Sequence, residues 1–489
     1  MLFNSPVFIF AFLPITFFVY FWLNHKRLSE ASKAFLVVAS LFFYSWWNPA
    51  YLPLILVSMV FNFTIGSYLS RNFGRNLTNL KKQISPKVLL IIGICGNVAL
   101  LGYFKYADFF ILNANFIFGT EFEFLKLTLP LAISFFSFQQ IAYLVDSYKG
   151  ETKEYDFLSY ALFVSFFPQL IAGPIVHHKE MMPQFAKIRN KVKNYNNILL
   201  GLFIFSMGLF KKVVIADTFA VYATQGFDKM EVLEFFTAWQ TSLSYTFQLY
   251  FDFSGYCDMA IGAALLFNIR LPINFNSPYK ACDIQDFWRR WHITLGRFLR
   301  DYIYIPLGGN RGGLSRTCAN LFATFLIGGI WHGAGWTFVF WGFLHGIALV
   351  IHRLWSLTKI KLPKILAWFI TFNFVNFAWV FFRANSFEDA LKVLKGMVGV
   401  NGVKFENLVF WQNHTLKDMI LRLLYNDYAP FLFYIIIFTL VFVLFFKNSL
   451  EFSKNKATVK WSIYFSILFF MGVFSILIGS YSEFIYFNF

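Results

Sequence analysis

Apolar stretches long enough to cross a lipid bilayer recur along almost the whole chain, and they constrain its fold more than any other feature. In the first part of the sequence they lie near residues 6–24, 34–48, 51–70 and 88–104. The later ones lie near residues 198–216, 232–250, 255–270, 318–336, 337–352, 365–385, 429–446 and 460–478. Since about 20 apolar residues make one transmembrane helix, the sequence predicts an all-α polytopic membrane protein. Allowing for half-spans, we expect roughly eleven transmembrane helices together with re-entrant segments.

The composition supports this fold class. Hydrophobic residues make up 58% of the chain and charged residues only 14%, too few for the surface of a soluble protein of this length. The first stretch is longer than the apolar region of a signal peptide, so we expect it to be retained as a helix. We interpret residues 1–489 as a single integral-membrane domain, with N-terminal helices in 1–125, a core in 126–352 and C-terminal helices in 353–489.

The distribution of positive charge predicts an orientation in the membrane. The net charge of +17 could suggest a nucleic-acid partner, but the basic residues cluster in loops between apolar stretches. Such clustering is typical of cytoplasmic loops. Residues 71–87 and 25–33 are both basic, and they agree on a topology with the N-terminus outside. We therefore predict a lipid-embedded protein with no nucleic-acid partner.

One apolar run does not fit a topology in which successive loops lie on opposite sides of the membrane. Residues 146–156 and 177–197 both have the character of cytoplasmic loops, yet only one apolar run separates them. That run, "FLSYALFVSFFPQLIAGPI", contains Pro168, Gly173 and Pro174, which disfavour a straight helix in lipid. We predict a re-entrant segment that is buried among other helices and lies beside a cavity.

Residues 245–346 carry most of the polar groups that could do chemistry. Arginines and tryptophans in this region suit either a surface that binds lipid headgroups or a funnel that binds a phosphorylated donor. The candidates for lining such a funnel are Trp288, Arg289, Arg290, Trp291, Arg297, Asp301, Asn310 and Arg311. The string "PLGGNRGG" predicts glycine turns but is not a phosphate-binding P-loop. Asp252 and Asp258 lie in apolar surroundings, and we expect structural ion pairs with arginine or hydroxyl partners.

Of the two histidines in "FLIGGIWHGAGWTFVFWGFLHG", the first is the stronger candidate for chemistry. His332 lies among glycines and tryptophans, and an ionisable residue inside a membrane span usually faces a cavity or a functional path. A neutral imidazole can take a proton from a hydroxyl and return it at physiological pH. The glycines around it predict close helix packing or a backbone break. We interpret His345, further along, as structural.

The chain has no metal-binding pattern. Its cysteines are far apart in the sequence and lack the spacing of metal ligands. They are Cys95, Cys257, Cys282 and Cys318. We therefore expect no metal site.

These motifs together resemble one family, the membrane-bound O-acyltransferases. The block "FWRRWHITLGRFLRDYIYIPLGGNRGG" and the following "GGIWHGAGWTFVFWGFLHG" are similar to the bacterial branch that O-acetylates extracytoplasmic polysaccharides. The start "MLFNSPVFIFAFLPI", the middle "FFPQLIAGPI" and the end "FIYFNF" extend the resemblance over the whole chain. The chain departs from the pattern after His292, where Thr294 and Gly296 stand in place of an expected serine-rich stretch.

The resemblance implies a fold, a reaction and partners. The fold would be a ring of helices around a central cavity. His332 and His292 would be the catalytic histidines, with His332 as base and His292 orienting the substrate or stabilising the oxyanion. Acetyl-CoA would be the acyl donor, with no bound cofactor. A separate periplasmic transferase of the SGNH type would complete the delivery from the bacterial cytoplasmic membrane. Tyr486 in "FIYFNF" is a candidate acyl relay, although an aromatic membrane anchor is the simpler interpretation.

The residues leave the acceptor and some rival functions open. Peptidoglycan is favoured over alginate as the acetylated polysaccharide. D-alanyl transfer to teichoic acids, from a carrier-protein thioester, is the alternative within the family. A transporter or a lipid-binding scaffold is the alternative outside it, and such a protein would keep its function without His332.

Overall fold

The computed structural model describes residues 1–72, 85–152, 156–171, 173–404, 431–452, 459–478 and 485, and in these residues the regular secondary structure is entirely helical. The all-α prediction is therefore confirmed. The helices of seven or more residues are Leu13–His25, Ser29–Ser45, Leu52–Asn72, Pro86–Leu101, Ala107–Phe118, Ile133–Tyr148, Phe157–Ser165, His178–Ala186, Tyr195–Phe210, Asp217–Thr224, Phe235–Leu266, Ile284–Arg290, Ile293–Leu299, Gly313–His332, Trp336–Thr358, Lys364–Arg383, Phe387–Met397, Leu432–Phe445 and Val459–Ile478.

Six helical stretches of the described chain are long and apolar enough to cross a membrane. They are Phe8–His25, Pro49–Arg71, Pro86–Phe118, Tyr195–Lys229, Trp336–Thr358 and Lys364–Arg383. Two shorter apolar helices, Leu432–Phe445 and Ser462–Ile478, follow near the end. Several of these stretches contain a turn of π-helix, such as Gly102–Tyr106 and Lys211–Ala216. The polytopic membrane class that the apolar runs predicted is confirmed.

One predicted pair of spans is wrong. Residues 232–250 and 255–270 were expected as separate helices, but Phe235–Leu266 is one helix of 32 residues. Asp252, the charged residue between the two runs, does not break the helix because it is paired inside the protein. The carboxylate of Asp252 lies 2.8 Å from the Lys212 ammonium, and both side chains are 2% exposed.

By their contacts the residues form two compact units, of which the first comprises Met1–Leu209, Tyr256–Ile273 and Lys456–Phe489. Its core is rich in phenylalanine, and the ring of Phe3 stacks on Tyr256 at 4.7 Å. Helices in this unit approach closely at glycines. A Cβ added to Gly262 would lie 2.6 Å from the carbonyl oxygen of Gly201. Small residues at such contacts are typical of helix packing in membranes.

The predicted re-entrant segment lies in the first unit, and the residues before and after it lie close together. Its helix Phe157–Ser165 stops at Phe166, and a short turn, Phe167–Leu170, follows. The freed backbone amide of Phe167 donates to the hydroxyl of Ser40 at 3.1 Å, which satisfies it within the protein. Residues 159–171 are all buried, as the prediction required.

The two ends of this segment are held together by charged side chains. Lys179, after the segment, donates to the Glu151 carboxylate, before it, at 2.7 Å. The buried Asp146 likewise lies 3.6 Å from His177 and 3.8 Å from His178. The residues before and after the segment therefore lie close together, as a re-entrant segment requires.

The second unit comprises Phe210–Gly255 and Asn274–Asn455. Its framework includes a hairpin of the helices Gly313–His332 and Trp336–Thr358 and the adjoining helix Lys364–Arg383. The short helices Ile284–Arg290 and Ile293–Leu299 pack beside this hairpin. All the described candidate catalytic and funnel-lining residues belong to this unit.

Candidate active site

His332 is the last residue of one arm of the helix hairpin. Gly333 and Gly335 have extended backbones (φ −161° in each), so the chain leaves the first helix and enters the second at Trp336. A Cβ on Gly333 would lie 2.2 Å from the ring of Phe338, which therefore packs directly on this glycine. The backbone break predicted from the glycines is confirmed.

A second glycine brings the two arms of the hairpin together. A Cβ added to Gly329 would lie 2.6 Å from the Phe338 carbonyl oxygen and 2.7 Å from the Cα of Gly342. These atoms are backbone, so they cannot move aside as a flexible side chain would. Close packing of the arms thus requires glycine at this position and fixes where His332 lies.

The His332 ring is enclosed by aromatic side chains. It is 3% exposed. Ring centroids lie at 4.8 Å for Trp331, 5.0 Å for Trp341 and 5.1 Å for Phe382, each in an edge-to-face arrangement. An imidazole in such surroundings is shielded from bulk water, and any charge that develops beside it interacts strongly with nearby dipoles.

His292 is held by backbone geometry and by an asparagine. It precedes the helix Ile293–Leu299 with φ of +44°, a left-handed conformation that non-glycine residues seldom adopt. Its ring is fully buried, and Nδ1 lies 3.1 Å from Oδ1 of Asn274. The same oxygen accepts hydrogen bonds from the backbone amide and the hydroxyl of Thr294, at 3.2 and 2.9 Å. The threonine that departs from the family pattern thus helps to hold this site.

The hydrogen bonds define the tautomer of His292. A backbone N–H can only donate, so the atom of Asn274 that meets Thr294 is the carbonyl oxygen. Nδ1 of His292 must then carry the proton, and Nε2 holds the lone pair. Burial lowers the pKa of His292 to about 3, so the ring is neutral at physiological pH. Nε2 is therefore an acceptor.

Trp331 connects the two histidines, which are 40 positions apart in sequence. Its ring centroid lies 6.4 Å from that of His292 and 4.8 Å from that of His332. The structure thus brings the two predicted histidines against one indole, and this cluster of His292, Trp331 and His332 is the candidate active site.

The indole of Trp341 adds an unused donor beside His332. Trp341 is 1% exposed, and within the described part of the chain its indole nitrogen has no hydrogen-bond acceptor. Buried donors without a partner are rare in folded proteins. This N–H is therefore a candidate to bind an oxygen of the substrate.

The tryptophans proposed for a funnel pack into an aromatic layer. Trp291 is 1% exposed and stacks on Phe287 at 5.7 Å. The half-buried Trp288 donates its indole N–H to Nδ1 of His345 at 3.2 Å. His345 is fully buried, which agrees with its interpretation as structural.

The proposed charged residues of the funnel differ in their availability. Arg290 is paired with Asp286 at 2.9 Å, and Asp301 accepts from Arg300 at 2.7 Å. Arg297 is half-buried. Arg289, Asn310 and Arg311 are exposed to solvent. Glycine turns shape the loop that carries the last two, since Gly308 and Gly309 have φ of +111° and +57°.

Asp252 forms a buried ion pair, as expected, but its partner was not foreseen. Asp252 pairs with Lys212 rather than with arginine, and Lys212 also lies 2.7 Å from Asp217. The signal was present in the sequence, because two lysines interrupt the apolar run at 198–216. Asp258 is buried at 4% exposure.

A polar cavity in the first unit was not predicted from the sequence. The cavity measures about 530 Å³ and is lined by charged and amide side chains. They are Glu180, Gln184, Lys187, Arg189, Asn190, Asn194, Asn197, Asn268 and Arg270. Its three cations could hold an anionic group. Nowhere in the described ranges do three or more His, Cys, Asp or Glu side chains form a group that could hold a metal.

One candidate residue, Tyr486, lies outside the described residues. Its role as an acyl relay stays a prediction.

Comparison with known proteins relates this site to known enzymes. The peptidoglycan O-acetyltransferase of Helicobacter pylori is 52% identical to the chain, over 100% of the chain and 98% of its own length. A probable alginate O-acetylase, AlgI of Pseudomonas aeruginosa, is 40% identical over 81% of the chain and 75% of its own length. The teichoic acid D-alanyltransferase of Streptococcus thermophilus is 28% identical over 52% of the chain and 68% of its own length.

The family assignment rests on a match that includes the whole histidine cluster. The sequence model of MBOAT, the membrane-bound O-acyltransferase family, matches residues 93–388. This range contains both histidines, the hairpin and the loop of glycine turns. With more than half of the chain matched and two such similar relatives, this chain belongs to the membrane-bound O-acyltransferase family.

Proposed function

We propose that this protein transfers acetyl groups from cytoplasmic acetyl-CoA, across the membrane, for the O-acetylation of peptidoglycan. The full-length similarity at 52% identity to a peptidoglycan O-acetyltransferase carries the choice of polysaccharide. The cluster of His292, Trp331 and His332 supports acyl transfer, because it places two imidazoles around one indole.

In the reaction that we propose, His332 is the general base. Its lone-pair nitrogen takes the proton of the acceptor hydroxyl while the hydroxyl oxygen attacks the thioester carbonyl carbon. The tetrahedral intermediate then collapses, the carbon–sulfur bond breaks, and the thiolate takes the proton from the His332 imidazolium. The products are the acetyl ester and free CoA, and His332 returns to its neutral form.

His292 and Trp341 have complementary parts in this scheme. Since Nε2 of His292 holds a lone pair, it can accept a hydrogen bond from the substrate and position it, but it cannot donate to an oxyanion. The donor that faces the negative charge is instead the indole N–H of Trp341, whose ring lies 5.0 Å from that of His332. A preorganised donor of this kind accelerates acyl transfer by stabilising the intermediate.

The burial of His332 bears on the acceptor that reaches it. At 3% exposure the ring is inaccessible to a polysaccharide strand. We propose that a small hydroxyl acceptor takes the acetyl group at His332, and that a separate periplasmic transferase of the SGNH type passes it to the glycan. A cross-linked or co-purified complex between the two proteins would be the direct test of this partnership.

The basic residues that remain exposed are candidates to hold the donor. Arg289 and Arg311 are exposed, and their guanidinium groups are of the kind that bind phosphates. Replacing both by glutamine should raise the KM for acetyl-CoA about tenfold and leave kcat nearly unchanged, because the loss affects binding in both states. Arg270→Gln, in the separate polar cavity, is the control.

Deleting the protein tests the proposed function directly. We expect acetyl esters to disappear from isolated peptidoglycan, and wild-type protein to restore them. His332→Gln should insert normally yet give at least about 100-fold less transfer in proteoliposomes supplied with acetyl-CoA. His345→Gln is the matched control and should retain activity. Full transfer by the His332→Gln protein would overturn the mechanism.

Alginate acetylation is the second candidate, and the 40% identity to a probable alginate O-acetylase favours it. It predicts that the acetyl esters lost on deletion come from a secreted uronic-acid polymer while those of peptidoglycan persist. D-alanyl transfer predicts turnover with an acylated carrier protein and none with acetyl-CoA. Either result would replace the proposed substrate.

A further inference from the structure

A groove in the first unit lies at the end of the first candidate span. Its volume is about 680 Å³, and most of its lining surface is apolar. The residues that line it are Phe18, Val19, Phe21, Trp22, Asn24, His25, Lys191, Val192 and Lys193. The helix supplies the apolar wall, and residues 191–193, just before the helix Tyr195–Phe210, supply the basic rim.

The position of the groove along the helix indicates its depth in the membrane. Phe8–His25 is long and apolar enough to span a bilayer. The last turns of a spanning helix lie where hydrocarbon gives way to lipid headgroups. The groove therefore extends from the acyl-chain region at Phe18 to the headgroup region at His25.

The basic rim alternates with exposed apolar side chains. Residues 187–193 read "KIRNKVK", with a cation at every second position. Between them Ile188 is 81% exposed and Val192 64% exposed, and Tyr195 just beyond is 78% exposed. Apolar side chains so exposed among cations are typical of a segment that lies in the membrane interface.

The cations face the groove and meet no acid there. The ammonium of Lys193 lies 5.7 Å from the centre of the Phe18 ring. Lys191 lines the same groove, and the described lining contains no carboxylate. The groove thus offers an uncompensated positive charge directly above an apolar slot.

We propose that this groove binds one anionic phospholipid from the leaflet that faces the basic loops. The phosphate diester lies between Lys191 and Lys193, and an acyl chain lies along Phe18 and Trp22. A zwitterionic phospholipid would bring its own ammonium against the two lysines. A soluble anion would leave the apolar wall exposed. Charge and shape together therefore select an anionic lipid.

The test is the lipid that stays with the purified full-length protein. Protein reconstituted in nanodiscs with equal parts of phosphatidylglycerol and phosphatidylcholine should retain phosphatidylglycerol on transfer to detergent, as measured by native mass spectrometry. The double variant Lys191→Gln/Lys193→Gln should retain about 30-fold less phosphatidylglycerol, since each of the two cations contributes about 1 kcal/mol near the membrane surface. Lys359→Gln/Lys361→Gln removes two exposed cations elsewhere and should change nothing.

A second variant tests the apolar part without altering charge. Val19→Trp fills the groove and should abolish retention while the protein remains folded. Retention that survives both Val19→Trp and the lysine double variant would overturn the proposal. So would equal retention of phosphatidylcholine, equal loss in the control variant, or release of the lipid by millimolar inorganic phosphate.

Discussion

The two site histidines are held in place by different kinds of contact. For His292, the hydrogen bonds of Asn274 and Thr294 fix both ring orientation and tautomer. His332 is instead positioned by the backbone break after it and by packing against Trp331 and Trp341. We therefore expect the two imidazoles to respond to different substitutions. The function of His292 should depend on its hydrogen-bond acceptor, Asn274. The function of His332 should depend on its packing and on the nearby indole donor.

Replacing the acceptor of His292 should make the activity pH-dependent. In Asn274→Asp, a carboxylate faces Nδ1, favours the imidazolium and raises the pKa of His292 from about 3. As the pH falls through this raised pKa, Nε2 gains a proton and can no longer accept. The ratio of kcat/KM between variant and wild type should then fall about tenfold for each pH unit below the new pKa.

Thr294→Val is the control for this pH effect. It removes a hydroxyl that donates to the same oxygen of Asn274, without adding charge. Its activity ratio to wild type should stay constant between pH 5 and 8. If Asn274→Asp also gives a constant ratio, Nε2 of His292 does not accept a substrate hydrogen bond.

The indole N–H of Trp341, which has no acceptor among the described residues, makes a separate prediction. Trp341→Phe keeps an aromatic ring beside His332 but removes the N–H. If this donor binds the oxyanion, kcat should fall about 100-fold while the KM for acetyl-CoA stays within about twofold, because the lost contact exists only in the transition state. Steady-state kinetics in proteoliposomes measures both constants.

A packing role for Trp341 would give a different result. Thermal unfolding in detergent measures the loss of stability caused by the smaller ring. Trp379 is fully buried and stacks on Trp341, so Trp379→Phe should lower the stability by a similar amount. Trp379→Phe should keep its kcat. Equal loss of kcat in both variants would assign the effect to packing.

The sequence predicted both histidines but not the groups that tune them. His332 could be chosen because ionisable residues in apolar runs are rare, and His292 because the resemblance to the family implied it. Asn274 could not, because its contact with His292 depends on a left-handed backbone that no local pattern encodes. Trp341 is one of several tryptophans nearby, and only the packed structure shows that its N–H meets no acceptor among the described residues.

At the scale of elements, the hairpin depends on one glycine more than on its neighbour. Gly329→Ala places a methyl group 2.6 Å from a carbonyl oxygen on the other arm, whereas Gly328→Ala meets only a side-chain methyl of Leu299 at 3.4 Å. Overpacking of this kind costs about 1–3 kcal/mol. We expect Gly329→Ala to lower both the Tm and the transfer rate.

Gly328→Ala is the matched control for this close contact, one position away in the same helix. It should keep the Tm and the rate of wild type. The measurements are thermal unfolding in detergent and acetyl transfer in proteoliposomes. Equal behaviour of the two variants would mean that the arms can separate without cost and that the hairpin does not position His332.

The error in predicting the helix Phe235–Leu266 also belongs to this scale. Two separate apolar runs were predicted on either side of Asp252, and a charged group is costly in an apolar span. The structure removes that cost by pairing Asp252 with Lys212, which lies 40 positions earlier. A hydropathy profile considers each segment separately and therefore contains no information about a charged partner elsewhere in the chain.

At the scale of the whole chain, the re-entrant segment sets the topology. The sequence predicted it because residues 146–156 and 177–197 both have the character of cytoplasmic loops, and the contact of Lys179 with Glu151 agrees with this assignment. Which side faces the cytoplasm follows only from the bias of basic loops. The orientation therefore stays a prediction, and it determines from which compartment the donor reaches the protein.

Single cysteines in a variant lacking Cys95, Cys257, Cys282 and Cys318 test this orientation. Lys149→Cys and Lys187→Cys flank the segment and are exposed, so both should react with a membrane-impermeant maleimide only after the membrane is opened. Ala50→Cys, in the loop between the second and third long helices, should react in intact spheroplasts. Labelling of Lys149→Cys and Lys187→Cys from opposite sides would make residues 157–175 a full span. The same reagent reaching Ala50→Cys only after permeabilisation would invert the topology, and the donor would then have to enter from the other face.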